Sequence, residues 1–419
     1  MNLRFRLTLL SFFQYFIWGA WLITIGAYWF QNKHWGGADF GAIFSTMGVS
    51  AIFMPTIMGI IADRWINAER LLGISHIAGA AILYYLPDVN DPQAFYWVLL
   101  LYMVFYMPTI SLANTVSYSA LVRGGKNLVR DFPPIRVWGT VGFIAAMWTV
   151  SLLHIETSAK QFYVAATASL FLGLYAFTLP QCPPEGKKLQ QQSWIDLFGL
   201  RAFSLFRNTK MALFFIFAML LGAALQLTNA YGDTFLHDFA KVDLYKDTLA
   251  VRYPAIIMSI SQISETLFIL AIPFFLRRFG IKQVMLISMV AWVLRFGLFA
   301  YGDPGNGLWM IILSCIVYGM AFDFFNISGS LFVDTQVKPE IRARAQGIFM
   351  MMTNGIGAWL GSKISGLAIA RYFTDRNNEL LWHGIWRAFA IYALIVAVLF
   401  AVLFRHKHNP DEVAGLPHG

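Results

Sequence analysis

Apolar runs long enough to cross a lipid bilayer recur along this chain from Leu7 to Phe404. A membrane-spanning helix needs about 20 mainly apolar residues. In hydrocarbon every peptide group must be paired internally, so a chain made of such runs folds as a bundle of spanning helices. Cutting the runs at charged and Pro/Gly-marked breaks gives twelve predicted helices, near 6–30, 39–62, 69–87, 94–118, 134–154, 158–179, 211–236, 252–276, 281–301, 307–333, 342–372 and 382–404. The expected fold class is an all-α membrane protein. Charge agrees, because 13% of the 419 residues are charged, against about 25% in a soluble domain. Much of the outer surface must therefore face the lipid bilayer. The 16% aromatic content suits rings seated at headgroup depth.

The net charge of +9 would suggest nucleic acid in a soluble protein. Here the basic residues fall in short connections between spans, which is a topology signal. With the N-terminus inside, the inside connections hold 20 of the 31 basic residues and the outside ones eight. The expectation is a multi-pass protein of the cell inner membrane with both termini cytoplasmic and no nucleic-acid partner. The N-terminus runs into an apolar segment without a small-residue cleavage site, so it reads as a retained first helix. Cys182 and Cys315 supply neither a disulfide framework nor a metal cluster. No phosphate loop, H-E-x-x-H or G-x-S-x-G is present, so neither a nucleotide-driven pump nor an enzyme is expected, and no cofactor or metal is called for.

The longest inside connection divides the spans six and six. The expected parts are a bundle over 1–179, a cytoplasmic linker over 180–210, a second bundle over 211–404 and a tail over 405–419. Within the linker, Ser193 suits the cap of a short amphipathic helix laying Trp194, Leu197, Phe198 and Phe206 on the membrane surface. A short internal repeat supports two halves. Tyr106 precedes Asn114 as Tyr318 precedes Asn326, and Pro133-Pro134-Ile135-Arg136 matches Pro339-Glu340-Ile341-Arg342. Secondary transporters are commonly built this way, with the site between the halves near the membrane midplane.

Ionisable groups inside spans are costly and mark ion or substrate routes, the alternative being a structural carboxylate paired with an amide or cation. Glu265 lies midway along the eighth span and Asp323 about one turn deeper than the middle of the tenth. Each has an amide at helical spacing, Gln262 with Glu265 and Asp323 with Asn326, and Gln226 with Asn229 repeats the arrangement on the seventh. Residues three apart share a helix face. One such pair would read as interhelical glue; three at similar depth favour a binding cavity. Arg136, Thr140 and Phe143 share a face of the fifth helix, although Arg136 reads equally well as an ordinary inside arginine. Arg295 lacks an obvious partner and reads as structural. His76 and His154 read as interfacial, and Lys363 as an outward-snorkelling lysine without a role.

Gly59-Ile60-Ile61-Ala62-Asp63-Arg64-Trp65 with Arg70 resembles the cytoplasmic gate loop of the major facilitator superfamily. Arg277-Arg278-Phe279-Gly280-Ile281-Lys282 is a weaker echo in the second half. Longer stretches, Asp131–Thr140, Ile260–Phe268 and Tyr318–Ser330, resemble the nucleoside–proton symporter family, and the resemblance runs from Phe13-Gln14-Tyr15 to the last helix. It implies twelve transmembrane helices in two pseudo-symmetric six-helix bundles, importing nucleosides with protons. It places substrate contacts on Arg136, Thr140, Phe143, Gln226, Asn229, Gln262, Glu265, Tyr318, Phe322 and Asp323, beside Asn326 from the helix-face pattern. Glu265 and Asp323 are the proton-coupling candidates, and Gly59, Asp63, Arg64 and Arg70 the gate motif. In that reading amides and Arg136 hydrogen-bond the nucleoside while Phe143 and Phe322 stack on its base. A monomer suffices. The alternatives are an exporter or sugar or drug transporter on the same fold, a nutrient sensor, or a facilitative channel.

Overall fold

The structure, a computed structural model, describes residues 2–184, 200–338, 341–376 and 379–407. The expectations for Ser193, Trp194, Leu197 and Phe198, for Pro339-Glu340 and for the tail beyond Lys407 fall outside the described residues. Among those described, twelve spans run in order. They are α1 (Leu3–Gly19), α2 (Gly37–Arg64), α3 (Ala68–Tyr85), α4 (Pro92–Arg123), α5 (Pro133–Leu152), α6 (Lys160–Ala176) and α7 (Thr209–Asp238). A single helical run, Pro254–Tyr301, holds both α8 (254–279) and α9 (281–301). Then come α10 (Leu308–Gln336), α11 (Arg342–Met350 and Ala358–Tyr372, joined by a π-helix over Met351–Gly357) and α12 (Trp382–Leu403).

Eight helical runs are long and apolar enough to cross a membrane by length and composition, with Pro254–Tyr301 counted once. Its 48 residues would extend about 72 Å at the α-helical rise, more than twice the thickness of the hydrocarbon core. The break at Gly280 divides it into two crossings. The other three spans fall short for local reasons. α1 and α6 have 17 residues each, and the chain after α1 continues through a turn into a π-helix over Tyr28–Asn32. The π segment interrupts α11.

Helix starts follow their local chemistry. The Asp91 carboxylate accepts from Ala94 N at 2.7 Å and opens α4. The Asn208 side chain accepts from Lys210 N and Met211 N at the head of α7. Proline occupies the first turn of α4, α5 and α8, where its missing N–H has no helical partner to lose.

Packing separates two compact units, one of residues 2–35 and 42–184, the other of residues 36–41 and the described residues from 200 onward. Inside each unit the first helix of the set lies against the fifth, α1 on α5 and α7 on α11. In both pairs glycine allows the contact. A Cβ at Gly142 would overlap the Phe12 carbonyl, and one at Gly222 would overlap the Thr353 carbonyl. Phe206, expected at the membrane surface, packs on Phe215 of α7 at 5.1 Å between centroids, because Leu200–Arg207 is a tight 3₁₀ turn leading straight into that helix.

Gly280 has φ 77 and ψ 170, a conformation open essentially to glycine alone. Gly280→Ala is expected to cost about 1–3 kcal/mol, read as a lowered unfolding midpoint in detergent. An unchanged midpoint would show that the α8–α9 break relaxes without strain.

Candidate functional site

In the first unit, α5 carries Arg136, Thr140 and Phe143, all half-buried. Arg136 sits on the first helical turn after Pro133-Pro134. The approach to that turn is pinned by Asp131, which is buried, receives Arg4 Nη2 at 3.3 Å and accepts from Asn127 N at 3.0 Å. The Arg136 guanidinium lies over the Tyr15 ring at 4.1 Å, a cation–π contact that holds it against α1. Phe143 meets Trp18 edge-on at 6.4 Å. Beneath this face lies a buried polar cluster. Gln14 Nε2 donates to Thr109 Oγ1 at 2.7 Å, its Oε1 lies 2.9 Å from His76 Nε2, and Tyr106 OH donates to Gln14 O at 2.7 Å.

His76 therefore corrects its sequence reading. It is 1% exposed and belongs to the core of the first unit, with Ser169 Oγ donating to its carbonyl at 2.8 Å. α3 and α6 approach closely where Gly73 faces Gly173, and the imidazole Nδ1 lies 3.2 Å from Ser169 Oγ of α6. His154 is exposed just beyond the end of α5.

The second unit carries the remaining residues on three helices. α7 presents Gln226, buried, and Asn229, half-buried; α8 presents Gln262 and Glu265, both half-buried. α10 presents Tyr318 and Asp323, both buried, with Phe322 and Asn326 half-buried. α8 and α10 meet closely, since a Cβ at Gly319 would come within 2.6 Å of the Ser264 backbone and the Ser264 hydroxyl donates to Ile316 O. That contact brings Glu265 beside Tyr318, which has Glu265, Arg295 and Asp323 as electrostatic neighbours. Tyr318 and Phe322 stack at 6.4 Å with planes 11° apart. Gln226 Oε1 and Gln262 Oε1 are buried acceptors with no hydrogen bond among the described residues. Buried amide oxygens left this way are costly unless a ligand or water pairs them.

Arg295 is the second correction. It is 0% exposed and does have partners. Nε donates to Thr228 Oγ1 at 3.1 Å, and Nη1 donates to Ser261 Oγ at 3.3 Å and to Ser314 O at 2.9 Å. Its guanidinium also lies 4.5 Å from the Tyr318 ring centre. One side chain on α9 thus joins α7, α8 and α10, the three helices that carry the candidate site.

A family model described as nucleoside H+ symporter matches residues 1–409. The chain belongs to the nucleoside H+ symporter family. It is 53% identical to the xanthosine permease of Escherichia coli (strain K12) over 99% of this chain and 98% of that protein. It is 51% identical to the nucleoside permease NupG of the same organism over 97% of each chain. A crystal structure of the nucleoside transporter NupG superposes with a TM-score of 0.91 at 51% identity, covering 97% of this chain and all of that one. The fold is that of the major facilitator superfamily, two six-helix bundles, and a nucleoside H+ symporter is a membrane transporter by family.

The stretch expected to form a gate lies where α2 passes into α3. Gly59, Asp63 and Arg64 are half-buried and Arg70 is exposed. A Cβ at Gly59 would meet nothing within 4 Å, so crowding does not explain that glycine. The residue that ties this corner together is Glu69, which the motif reading passed over. It is buried, accepts from Cys182 N at 2.8 Å and from Asn67 Nδ2 at 2.9 Å, and so fixes the start of α3 to the chain leaving α6. Sequence reasoning also missed Asp233, fully buried on α7 with His237 Nε2 at 3.5 Å from its carboxylate. Their i, i+4 spacing inside an apolar helix was the available signal.

Proposed function

We propose that this chain imports nucleosides together with protons by alternating access in a bacterial inner membrane, as a monomer with both termini cytoplasmic. The working parts are the bundles over 1–179 and 211–404, the linker over 180–210 and the tail over 405–419. The observation that carries the reading lies in the second unit. Two carboxylates within the membrane, Glu265 and Asp323, share Tyr318 as a neighbour, while Gln226 and Gln262 hold buried amide oxygens with no hydrogen bond among the described residues. Such a face suits a neutral ligand rich in hydroxyls and ring nitrogens, moved with a proton. Family membership and the likeness to a xanthosine permease and a nucleoside permease support a nucleoside as that ligand.

In this reading Gln226, Asn229, Gln262 and Glu265 hydrogen-bond the nucleoside, and Tyr318, Phe322 and Asn326 contact it from α10. Arg136, Thr140 and Phe143 of α5 are contacts from the first unit, with the guanidinium held ready by Tyr15. Glu265 and Asp323 are the candidates for the proton. Gly59, Asp63, Arg64 and Arg70 form the cytoplasmic gate.

The test is uridine uptake into right-side-out vesicles with outside pH recorded. Uridine should accumulate above its outside concentration, alkalinise the medium as it enters, and lose both effects with a protonophore. Uptake that only equilibrates, indifferent to protonophore, would make the chain a facilitative channel. Competition by sugars in place of nucleosides would overturn the substrate class.

A further inference from the structure

The α1–α5 contact of the first unit holds three glycine notches, and one of them differs in what fills it. A Cβ at Gly142 would meet the Phe12 backbone, and a Cβ at Gly19 the Phe143 backbone, so those two serve helix packing. A Cβ at Gly139 would instead come within 2.6 Å of the Tyr15 ring and 2.8 Å of Arg136 Nη1. That notch seats two side chains, one from each helix, with no backbone atom of α1 among its nearest neighbours.

The pose of Arg136 is unusual for its place in the helix, where it is the fourth residue of α5. Side chains on a helix lean back toward its N-terminus. A long cation near the end of a span ordinarily follows that lean out to water. The Arg136 guanidinium reaches the other way, over Gly139 and further into the span, and stays half-buried. Tyr15 covers it, with the ring centre 4.1 Å from the guanidinium carbon. One turn earlier on α1, the Ser11 hydroxyl donates to the Arg136 carbonyl at 3.5 Å. Tyr15 follows Gln14, whose side chain and carbonyl are bound to Thr109, His76 and Tyr106, so the ring stands on a buried, hydrogen-bonded turn. The forward pose turns the cation toward Thr140 and Phe143, which share its helix face. An arginine that only marks the end of a span needs no such seat.

We infer that Tyr15 and Gly139 are positioning residues for substrate binding. Gly139 leaves room for the Arg136 side chain to turn into the span, and the Tyr15 ring holds the guanidinium there by cation–π attraction. Neither needs to touch the ligand. The inference rests on the nucleoside reading above, in which Arg136 is a contact, and adds how the first unit aims that contact.

The experiment measures the Kd of labelled uridine on purified full-length protein, beside the thermal midpoint, in wild type, Tyr15→Leu, Tyr15→Phe, Gly139→Ala and Arg136→Met. Tyr15→Leu and Gly139→Ala should each weaken uridine about 10-fold, the size of a partly desolvated cation–π contact. Tyr15→Phe, which restores a ring face, should recover most of that loss. The deciding readout is a double-mutant cycle. With Arg136→Met already in place, Tyr15→Leu should change the Kd by less than about 2-fold. A loss of equal size in both backgrounds would make Tyr15 a packing residue of the α1–α5 contact and overturn the inference. So would unchanged Kd values in Tyr15→Leu and Gly139→Ala while Arg136→Met weakens binding. Should Tyr15→Leu fail to fold, the same cycle is run with Gly139→Ala, whose methyl would press on side chains. Uridine bound equally well by wild type and Arg136→Met would instead remove Arg136 from the site. Wild-type protein that binds none of uridine, cytidine, adenosine or guanosine would remove the nucleoside reading itself, and the inference falls with either.

Discussion

Asp323→Asn should abolish accumulation of uridine against its gradient while exchange of internal for external uridine continues. The two mid-membrane acids differ in burial, Asp323 being 7% exposed and Glu265 half-buried. A charged carboxylate is costly to enclose away from water, and the cost rises with burial. Asp323 is therefore the group whose neutralisation by a proton most eases closure of the protein around it. Asparagine is neutral in every state, so the carrier can reorient loaded or empty with no proton on board. One charge moving through 100 mV is worth about 2.3 kcal/mol, roughly a 50-fold concentration ratio. The accumulation ratio should drop from that order to about 1, read in vesicles under an imposed potential. Glu265→Gln has a different expected outcome. The half-buried carboxylate is suited to accept hydrogen bonds from a ligand, and a neutral acceptor makes weaker ones. Its KM should rise about 10-fold with coupling retained. Coupling lost in Glu265→Gln and kept in Asp323→Asn would reverse the assignment.

The parts legible in the sequence were those that hydrophobicity and charge dictate directly. Span number and the six–six division followed from the lipid's demand for apolar length. The carboxylates at 265 and 323 stood out because little else ionisable lies in their spans. Helix periodicity set an amide beside each acid on the same helix face. What periodicity cannot give is a partner on another helix. His76 looked interfacial because it stands only eight residues into α3, yet its ring reaches Gln14 on α1 at 2.9 Å. Arg295 looked isolated because hydroxyls and a carbonyl, not an acid, hold it. In each case the missing information was long-range packing, much of it set by glycines whose importance shows only when two backbones touch.

Arg295→Met should separate function from stability more sharply than any other single change in the second unit. A guanidinium with no exposure inside a span carries a desolvation cost of several kcal/mol. Its hydrogen bonds to Thr228, Ser261 and Ser314 offset part of this, while Nη2 is left without a hydrogen bond among the described residues. Methionine fills much of the same space without a charge to desolvate, and such replacements are often neutral or stabilising. The thermal midpoint in detergent should therefore hold or rise. Transport should not hold. Tyr318 would lose the cation on its face, and α7, α8 and α10 would lose their common tie. Loss of one charge-assisted hydrogen bond costs about 1.5–3 kcal/mol, so uridine uptake should fall roughly 10- to 100-fold. Arg295→Lys should fall nearly as far, because an ammonium cannot reproduce a planar fork reaching three helices. Uptake that survives Arg295→Met, or that falls only in step with a collapsed midpoint, would reduce Arg295 to a packing residue. Survival of the midpoint with loss of uptake would place the buried arginine among the groups that set up the site.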